Sequence, residues 1–191
     1  MGRIILLNGV SSAGKTSLAR ALQSLSRVPL LRVAMDDFIS MVPVGMENAS
    51  EWFPAVASSR DAVPVVRIDT GKSGEVLLES MRSFARSIAD AGFSLVIDDV
   101  CTSKEVKAWR AALAHHELIV VKVDAPLDVL LRREKKRGDR TIGLAREQSM
   151  RLHNGIEYDL CVDTSSNSPA ESAQMVIRAI EVGADGQGMA S

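Results

Sequence analysis

Gly9-Val10-Ser11-Ser12-Ala13-Gly14-Lys15-Thr16 is the stretch on which the reading of this 191-residue chain turns. Its form is G-x-x-x-x-G-K-[ST]. The apolar run Arg3-Ile4-Ile5-Leu6-Leu7-Asn8 precedes it, and Ser17 to Leu25 follows with apolar residues at 18, 21, 22 and 25. The first flank reads as a short strand and the second as a helix. A strand, a glycine-bounded loop and a helix N-terminus together aim a ring of backbone N–H groups at an anion, with the helix dipole behind it. Gly9 and Gly14 permit the φ values and close approach that a side chain would block. In such a loop Lys15 reaches the β- and γ-phosphates of a nucleotide, and the Thr16 hydroxyl is placed to ligate Mg²⁺. Gly9, Val10, Ser11, Ser12, Ala13, Gly14, Lys15, Thr16 and Ser17 are therefore the expected phosphate-binding residues. Gly71-Lys72-Ser73 repeats the G-K-S triplet, but position 66 is Val and no apolar strand runs directly into it, so it reads as a loop.

Composition narrows the class. The length suits one domain with a sizeable core, taken as 1–183 with a Gly-rich tail at 184–191. Hydrophobic residues are 46% and charged residues 25% of the chain, as in ordinary globular proteins. A net charge of −1 excludes nucleic acid as the main partner. Cys101 and Cys161 show no metal-ligand spacing and read as buried, reduced thiols. No apolar run approaches membrane-spanning length, and residues 1–8 show no signal-peptide pattern, so a cytoplasmic protein without a membrane partner is expected. The sequence leaves the oligomeric state open, a homo-oligomer included.

Apolar runs alternate with helical patterns along the whole chain. Strands are expected at 30–35, 93–98, 118–123 and 160–162, with helices near 74–91, 103–115, 127–137, 142–153 and 169–182. Strands apolar without alternation belong in a parallel sheet covered by helices on both faces. Thr102…Glu105 and Ser168…Glu171 fit capping boxes, with Pro169 at a first helical position; Gly92 and Gly183 read as helix stops. Pro43 to Gly74 holds three of the six prolines and little periodicity. With Trp52 and Phe53 inside it, this segment is expected to be ordered and to build a pocket.

Phosphoryl transfer needs a metal, charge neutralisation and a group that orients the nucleophile. Leu95-Val96-Ile97-Asp98-Asp99 has the form of a Walker B strand, with Asp98 the first choice for the metal and Asp99 the alternative. Arg132 to Arg140 carries six cations in nine residues and reads as a lid over 132–143, with Arg133, Arg137 and Arg140 the candidates for phosphate. A solvated helix end is the competing reading. Asp36 and Asp37 follow the second strand, at the edge where ligands of open α/β sheets sit. A carboxylate there either accepts the proton of an attacking hydroxyl or caps the stretch Phe38 to Met41. Met35, Met41 and Met46 could line an adaptable pocket. His115, His116 and His153 show no metal-ligand pattern. The expected acceptor wall is Asp37, Phe38, Met41, Trp52, Phe53 and Asp99.

The chain resembles the chloramphenicol phosphotransferase-like P-loop kinases. The shared stretches are Ile5 to Lys15, the strand-two Asp followed by Ile39 and Pro43, and Val96 to Val100. Arg137-Gly138-Asp139-Arg140 and His153-x-Gly155-x-Glu157-Tyr158-Asp159 running into Val162-Asp163-Thr164 complete the set. The resemblance implies a three-layer α/β/α sandwich on a five-stranded parallel sheet in the order 2-3-1-4-5. It implies transfer of the ATP γ-phosphate to a primary hydroxyl of an antibiotic, with chloramphenicol 3-O-phosphorylation the specific case. It places the catalytic base on Asp36, beside Lys15, and the lid arginines on Arg133, Arg137 and Arg140. Residues 43–74 match least, so the chemistry transfers more safely than the acceptor. ATP and Mg²⁺ are the expected cofactors and a small-molecule alcohol the partner. A kinase of a nucleoside or shikimate-like metabolite is one rival reading. A regulatory ATPase is another, although no Asn is followed by Lys as an N-K-x-D guanine motif requires.

Overall fold

The computed structural model describes residues 2–57, 64–137 and 141–187. Arg140, one of the three expected lid arginines, lies outside the described residues, as do Gly138 and Asp139 beside it. The elements in order are β1 (Arg3–Asn8), α1 (Lys15–Leu25), β2 (Leu30–Ala34), α2 (Met35–Ile39), β3 (Ala55–Ala57), β4 (Val66–Ile68) and α3 (Lys72–Asp90). They continue with β5 (Ser94–Asp99), α4 (Ser103–Ala112), β6 (Glu117–Asp124), α5 (Leu127–Arg137), α6 (Leu144–Arg151), β7 (Leu160–Asp163) and α7 (Pro169–Gln187).

Five strands form one parallel sheet in the order β2-β5-β1-β6-β7. Counting only those five strands, this is the expected 2-3-1-4-5. Side chains alternate across a strand, so each apolar run feeds two cores. Ile5, Leu7, Val96 and Val121 pack under α1 and α7, against Leu18, Leu22 and Val176. Ile4, Leu6, Leu95 and Ile97 pack on the other face against Met81 and Ala85 of α3 and Trp109 of α4. Burial on both faces is what makes the strands apolar throughout.

Local chemistry sets the helix ends. The Thr102/Glu105 capping box opens α4, and Ser168 and Glu171 exchange bonds of 2.8 and 3.2 Å at the start of α7. Three expectations need correction, and one segment gains detail. Lys72 and Ser73 are not loop but the first residues of α3, with Gly71 as the residue before it. Gly183 does not stop α7, which continues into the expected tail as far as Gln187; a lone interior glycine costs only about 1 kcal/mol and ends nothing by itself. Cys101 is buried as expected, whereas Cys161 is exposed on the edge strand β7. Segment 43–74 contains a small antiparallel hairpin, β3 with β4, which its short and weakly patterned strands concealed. Among the described residues, no helix is long and apolar enough to cross a membrane.

The sheet comes very close to the loop after β1. A Cβ on Gly9 would stand 2.1 Å from the carbonyl oxygen of Val123 on β6. Backbone cannot yield as a side-chain tip can, so Gly9→Ala is expected to lower unfolding free energy by about 2–3 kcal/mol in urea titrations. An unchanged midpoint would show that β6 does not constrain the loop.

Candidate active site

The loop from Gly9 to Gly14 sits at the carboxyl end of the sheet, as the doubly wound topology requires. Gly14 has φ +95° and precedes α1, whose first turn no side chain caps among the described residues. Ser12 adopts φ +65°, a left-handed conformation rare for a residue with a side chain. The Ser11 and Ser12 hydroxyl oxygens are buried and have no hydrogen-bond partner among the described residues. Buried polar atoms normally find partners, so these two suit a polar ligand in the loop. Val10 and Ala13, in contrast, bury their side chains completely and contribute backbone alone.

Each carbonyl that the loop turns inward is met by a side chain. Lys15 Nζ donates to the carbonyls of Gly9 at 2.8 Å and Val10 at 3.2 Å. The Thr164 hydroxyl donates to the Ala13 carbonyl at 2.7 Å. Arg133 donates to the Thr164 hydroxyl at 2.9 Å, to its carbonyl at 2.7 Å and to the Ser12 carbonyl at 3.5 Å. The Ser11 amide donates to Gln148 Oε1 at 2.6 Å. Elements α1, α5, α6 and the loop after β7 thus all hold the same few residues.

The two strand-end carboxylates are sorted by parity. Asp98 Oδ2 accepts the Thr16 hydroxyl at 2.7 Å. Asp99 turns away: it accepts the Trp109 indole N–H at 2.7 Å, the Cys101 thiol at 3.1 Å and the Val100 amide at 2.7 Å. Burial, with the Asp99 carboxylate adding to it, pushes the Cys101 thiol pKa well up. Behind β1, Asn8 donates to the Cys101 carbonyl and to the Tyr158 hydroxyl, both at 2.8 Å, and accepts the Cys101 amide at 2.8 Å. His153 Nδ1 lies 2.6 Å from the Tyr158 hydroxyl. Burial raises the Tyr158 pKa despite the Asn8 bond, and burial followed by Lys122 lowers that of His153.

Two cavities meet at this loop. The larger, about 920 Å³, is lined by Lys15, Thr16, Asp36, Asp98 and side chains of the 47–53 segment, β4, α3, α4 and α6. The smaller, about 440 Å³, is walled by Arg133, Lys136, Thr164, Asn167 and Pro169. Ser12, Gly14, Ser17 and Arg137 line both.

Of the expected acceptor wall, Phe53 and Asp99 line the larger cavity, whereas Asp37, Phe38, Met41 and Trp52 do not. Asp37 is on the outer face of α2, in an ion pair with Arg32 at 2.7 Å. Phe38 packs edge-on against Phe84 with ring centroids 5.9 Å apart. Met41 and Met46 are largely exposed, and of the three methionines only Met35 reaches the cavity. On α2 the inward side takes Met35, Asp36 and Ile39, which leaves Asp37 and Phe38 on other sides of the helix. Arg133 reaches the phosphate loop through carbonyls and Thr164 and borders the smaller cavity alone.

The sequence reading missed several site residues. Thr164 ended a stretch already singled out and would have been found by asking which neighbour satisfies the loop carbonyls. Gln148 and the α6 residues Glu147 and Arg151 carried no signal beyond helical spacing. Glu134 was hidden among cations. It is 2% exposed and accepts the amides of Gly143 at 2.9 Å and Ala145 at 2.8 Å, fixing the start of α6 from within α5. Gly143 itself has φ +97°, and a Cβ there would stand 2.5 Å from the Pro64 carbonyl. The Val66 amide reaches the Gly143 carbonyl at 3.3 Å, so the hairpin rests against the start of α6.

Comparison with known proteins agrees with this geometry. The model of the chloramphenicol phosphotransferase-like proteins matches residues 2–181, and the chain belongs to that family. A Mycobacterium tuberculosis protein (strain ATCC 25618 / H37Rv) named "Putative O-phosphotransferase Rv2636" is 33% identical over 180 residues, covering 91% of this chain and 80% of that protein. Among solved structures, a gluconokinase from Sinorhizobium meliloti 1021 is similar at TM-score 0.68 and 18% identity, over 100% of this chain and 97% of that one. A sugar kinase from Janibacter sp. HTCC2649 is similar at TM-score 0.67 and 20% identity, over 95% of each chain. At those identities the structural likeness concerns the fold. This is a P-loop phosphotransferase fold with a family to match.

Two stability tests follow from the site's framework. Glu134→Ala leaves two buried amides without acceptors and should cost about 3 kcal/mol in urea unfolding, with Glu134→Gln losing less. His153 has its folded pKa below the ordinary value, so the unfolded chain binds the proton first on acidification. Its share of stability is complete above about pH 6.5 and declines as pH falls below that value. The drop in melting temperature between about pH 7.5 and about pH 5.5 should therefore shrink in His153→Gln.

Proposed function

We propose that the protein is an ATP-dependent kinase that moves the γ-phosphate to a hydroxyl of a small molecule. The observation that carries this reading is the pair of cavities that share the phosphate loop, one beside Thr164 and Asn167 and one containing Asp36. A nucleoside in the smaller cavity puts its phosphates along Gly14 to Ser17, and the larger cavity then holds the acceptor at the far end of the chain of phosphates. A binding-only protein has no need of the second compartment.

Thr16 and Asp98 fit a magnesium ion. Among the described residues no group of three or more His, Cys, Asp or Glu side chains could hold a metal by itself. Mg²⁺ in nucleotide sites is held by one or two protein oxygens together with phosphates and waters, which a hydroxyl and a carboxylate 2.7 Å apart can provide. When bound, the ion would neutralise charge on the β- and γ-phosphates.

In the proposed reaction the Asp36 carboxylate accepts the proton of the acceptor hydroxyl. That oxygen forms a bond to the γ-phosphorus as the bond to the β-bridging oxygen breaks, and ADP leaves. Lys15, Arg137 and Arg140 stabilise the charge on the moving group, and Ser11 and Ser12 hold phosphate oxygens. Arg133 holds the loop's shape from beneath. Asp99 is assigned to positioning. The family name makes chloramphenicol the first acceptor to try, and the cytoplasm is the compartment that ATP use favours.

Asp36→Asn is expected to lower kcat by about 100-fold or more while the ATP dissociation constant stays within about twofold. Turnover near wild type would remove Asp36 from the role of base.

A further inference from the structure

The larger cavity also carries information about what it takes. Its wall near the hairpin is a quartet of charges from β4 and α6. Arg67 donates to both carboxylate oxygens of Asp69, through Nε at 2.6 Å and a terminal nitrogen at 3.0 Å. One turn of α6 places Arg151 on Glu147, and all four residues line the cavity. Helix α6 packs against β4, and both pairs line the same cavity. Half-exposed pairs of this kind add little to folding.

One atom of the quartet is unsatisfied. Glu147 is 8% exposed, its Oε1 takes the Arg151 bond, and its Oε2 is buried with no hydrogen-bond partner among the described residues. The charge of Glu147 is already balanced by Arg151. What Oε2 lacks is a donor rather than a counter-charge, and a neutral O–H supplies one. The remaining N–H groups of Arg67 and the free lone pairs of Asp69 lie alongside, offering donors and acceptors together.

Sites for aryl ligands are lined mainly by apolar and aromatic groups. Among the described residues Phe53 is the only aromatic one lining the cavity, with Met35, Ile39 and Leu78 also in the wall. Ile68, Val100, Leu144 and Leu152 add apolar surface, while most of the other lining side chains are polar or charged.

We propose that the acceptor is a polyhydroxylated, strongly hydrated molecule of the sugar, alditol or sugar-acid class, one of whose non-reacting hydroxyls donates to Glu147 Oε2. The inference rests on the kinase reading and names its substrate class. Glu147 is the specificity-determining residue, with Arg67 and Asp69 completing the polar wall. Sites that hydrogen-bond a substrate hydroxyl reject analogues without it far more strongly than apolar pockets reject an extra methylene. Chloramphenicol, whose aryl ring needs an apolar slot, fits this wall poorly.

The test uses the full chain with labelled ATP and Mg²⁺ and offers glucose, ribitol, myo-inositol, gluconate, glucosamine and chloramphenicol. Transfer to at least one uncharged or acidic polyol is expected. For that acceptor, Glu147→Gln should raise KM by about tenfold or more with the ATP KM within about twofold. Asp69→Asn, which leaves α6 untouched, should raise the same KM by a smaller factor. Chloramphenicol preferred by tenfold over every polyol overturns the inference and leaves the kinase reading standing. Glucosamine preferred by tenfold over glucose also overturns it, by assigning Glu147 to an ammonium group. Nucleotide binding without transfer to any polyol overturns it too, and failure to bind ATP at all sinks both readings.

Discussion

A backbone that turns its amides toward an anion must turn carbonyls elsewhere, and a buried carbonyl cannot remain unpaired. The loop after β1 meets this demand with borrowed groups. Lys15 covers the Gly9 and Val10 carbonyls, Thr164 that of Ala13, and Arg133 reaches Ser12 while gripping Thr164. The loop's shape is therefore a property of the tertiary structure. It depends on β7 delivering Thr164 and on α5 delivering Arg133, which lie more than a hundred residues away in sequence. The same constraint explains why Arg133, an expected lid arginine, bonds Thr164 and the Ser12 carbonyl.

A second set of contacts joins α5 and α6 to the hairpin. Glu134 on α5 holds the amides that begin α6, while Gly143 in front of α6 touches Pro64 and pairs with Val66 of the hairpin. Gln148, on the helix so positioned, reaches the Ser11 amide. The hairpin is thus tied to the phosphate loop through α6 and a handful of hydrogen bonds. On the proposed reading, this is how occupancy of one compartment would bias the other.

The sheet was legible because its strands are buried on both faces and announce themselves as apolar runs, and the phosphate loop because it needs glycines at fixed positions. Helix starts were legible where capping boxes marked them, at Thr102 and Ser168. Segment 43–74 was not. Its strands are three residues each, and what orders them is contact with Gly143 and α6, which no local pattern encodes. Side-chain direction was equally hidden. Asp36 faces the cavity and Asp37 pairs with Arg32 on the outside, yet the two are adjacent and identical in type. Glu134 stayed unseen for a different reason. A carboxylate amid cations reads as a solvated helix face, and only burial reveals that its partners are amides.

The pair Asp98-Asp99 shows how such an ambiguity resolves physically. Successive residues of a strand point to opposite faces, so one carboxylate at most could turn toward the loop. Burying Trp109 completely demands an acceptor for its indole N–H, and Asp99 is the one on its side of the sheet. The same carboxylate orders Val100 and Cys101, and Asn8 ties Cys101 back to β1. That leaves Asp98 beside Thr16, where the phosphate loop begins its helix. The division of labour follows from packing: the need to satisfy one tryptophan fixes which aspartate is left to face the phosphate loop.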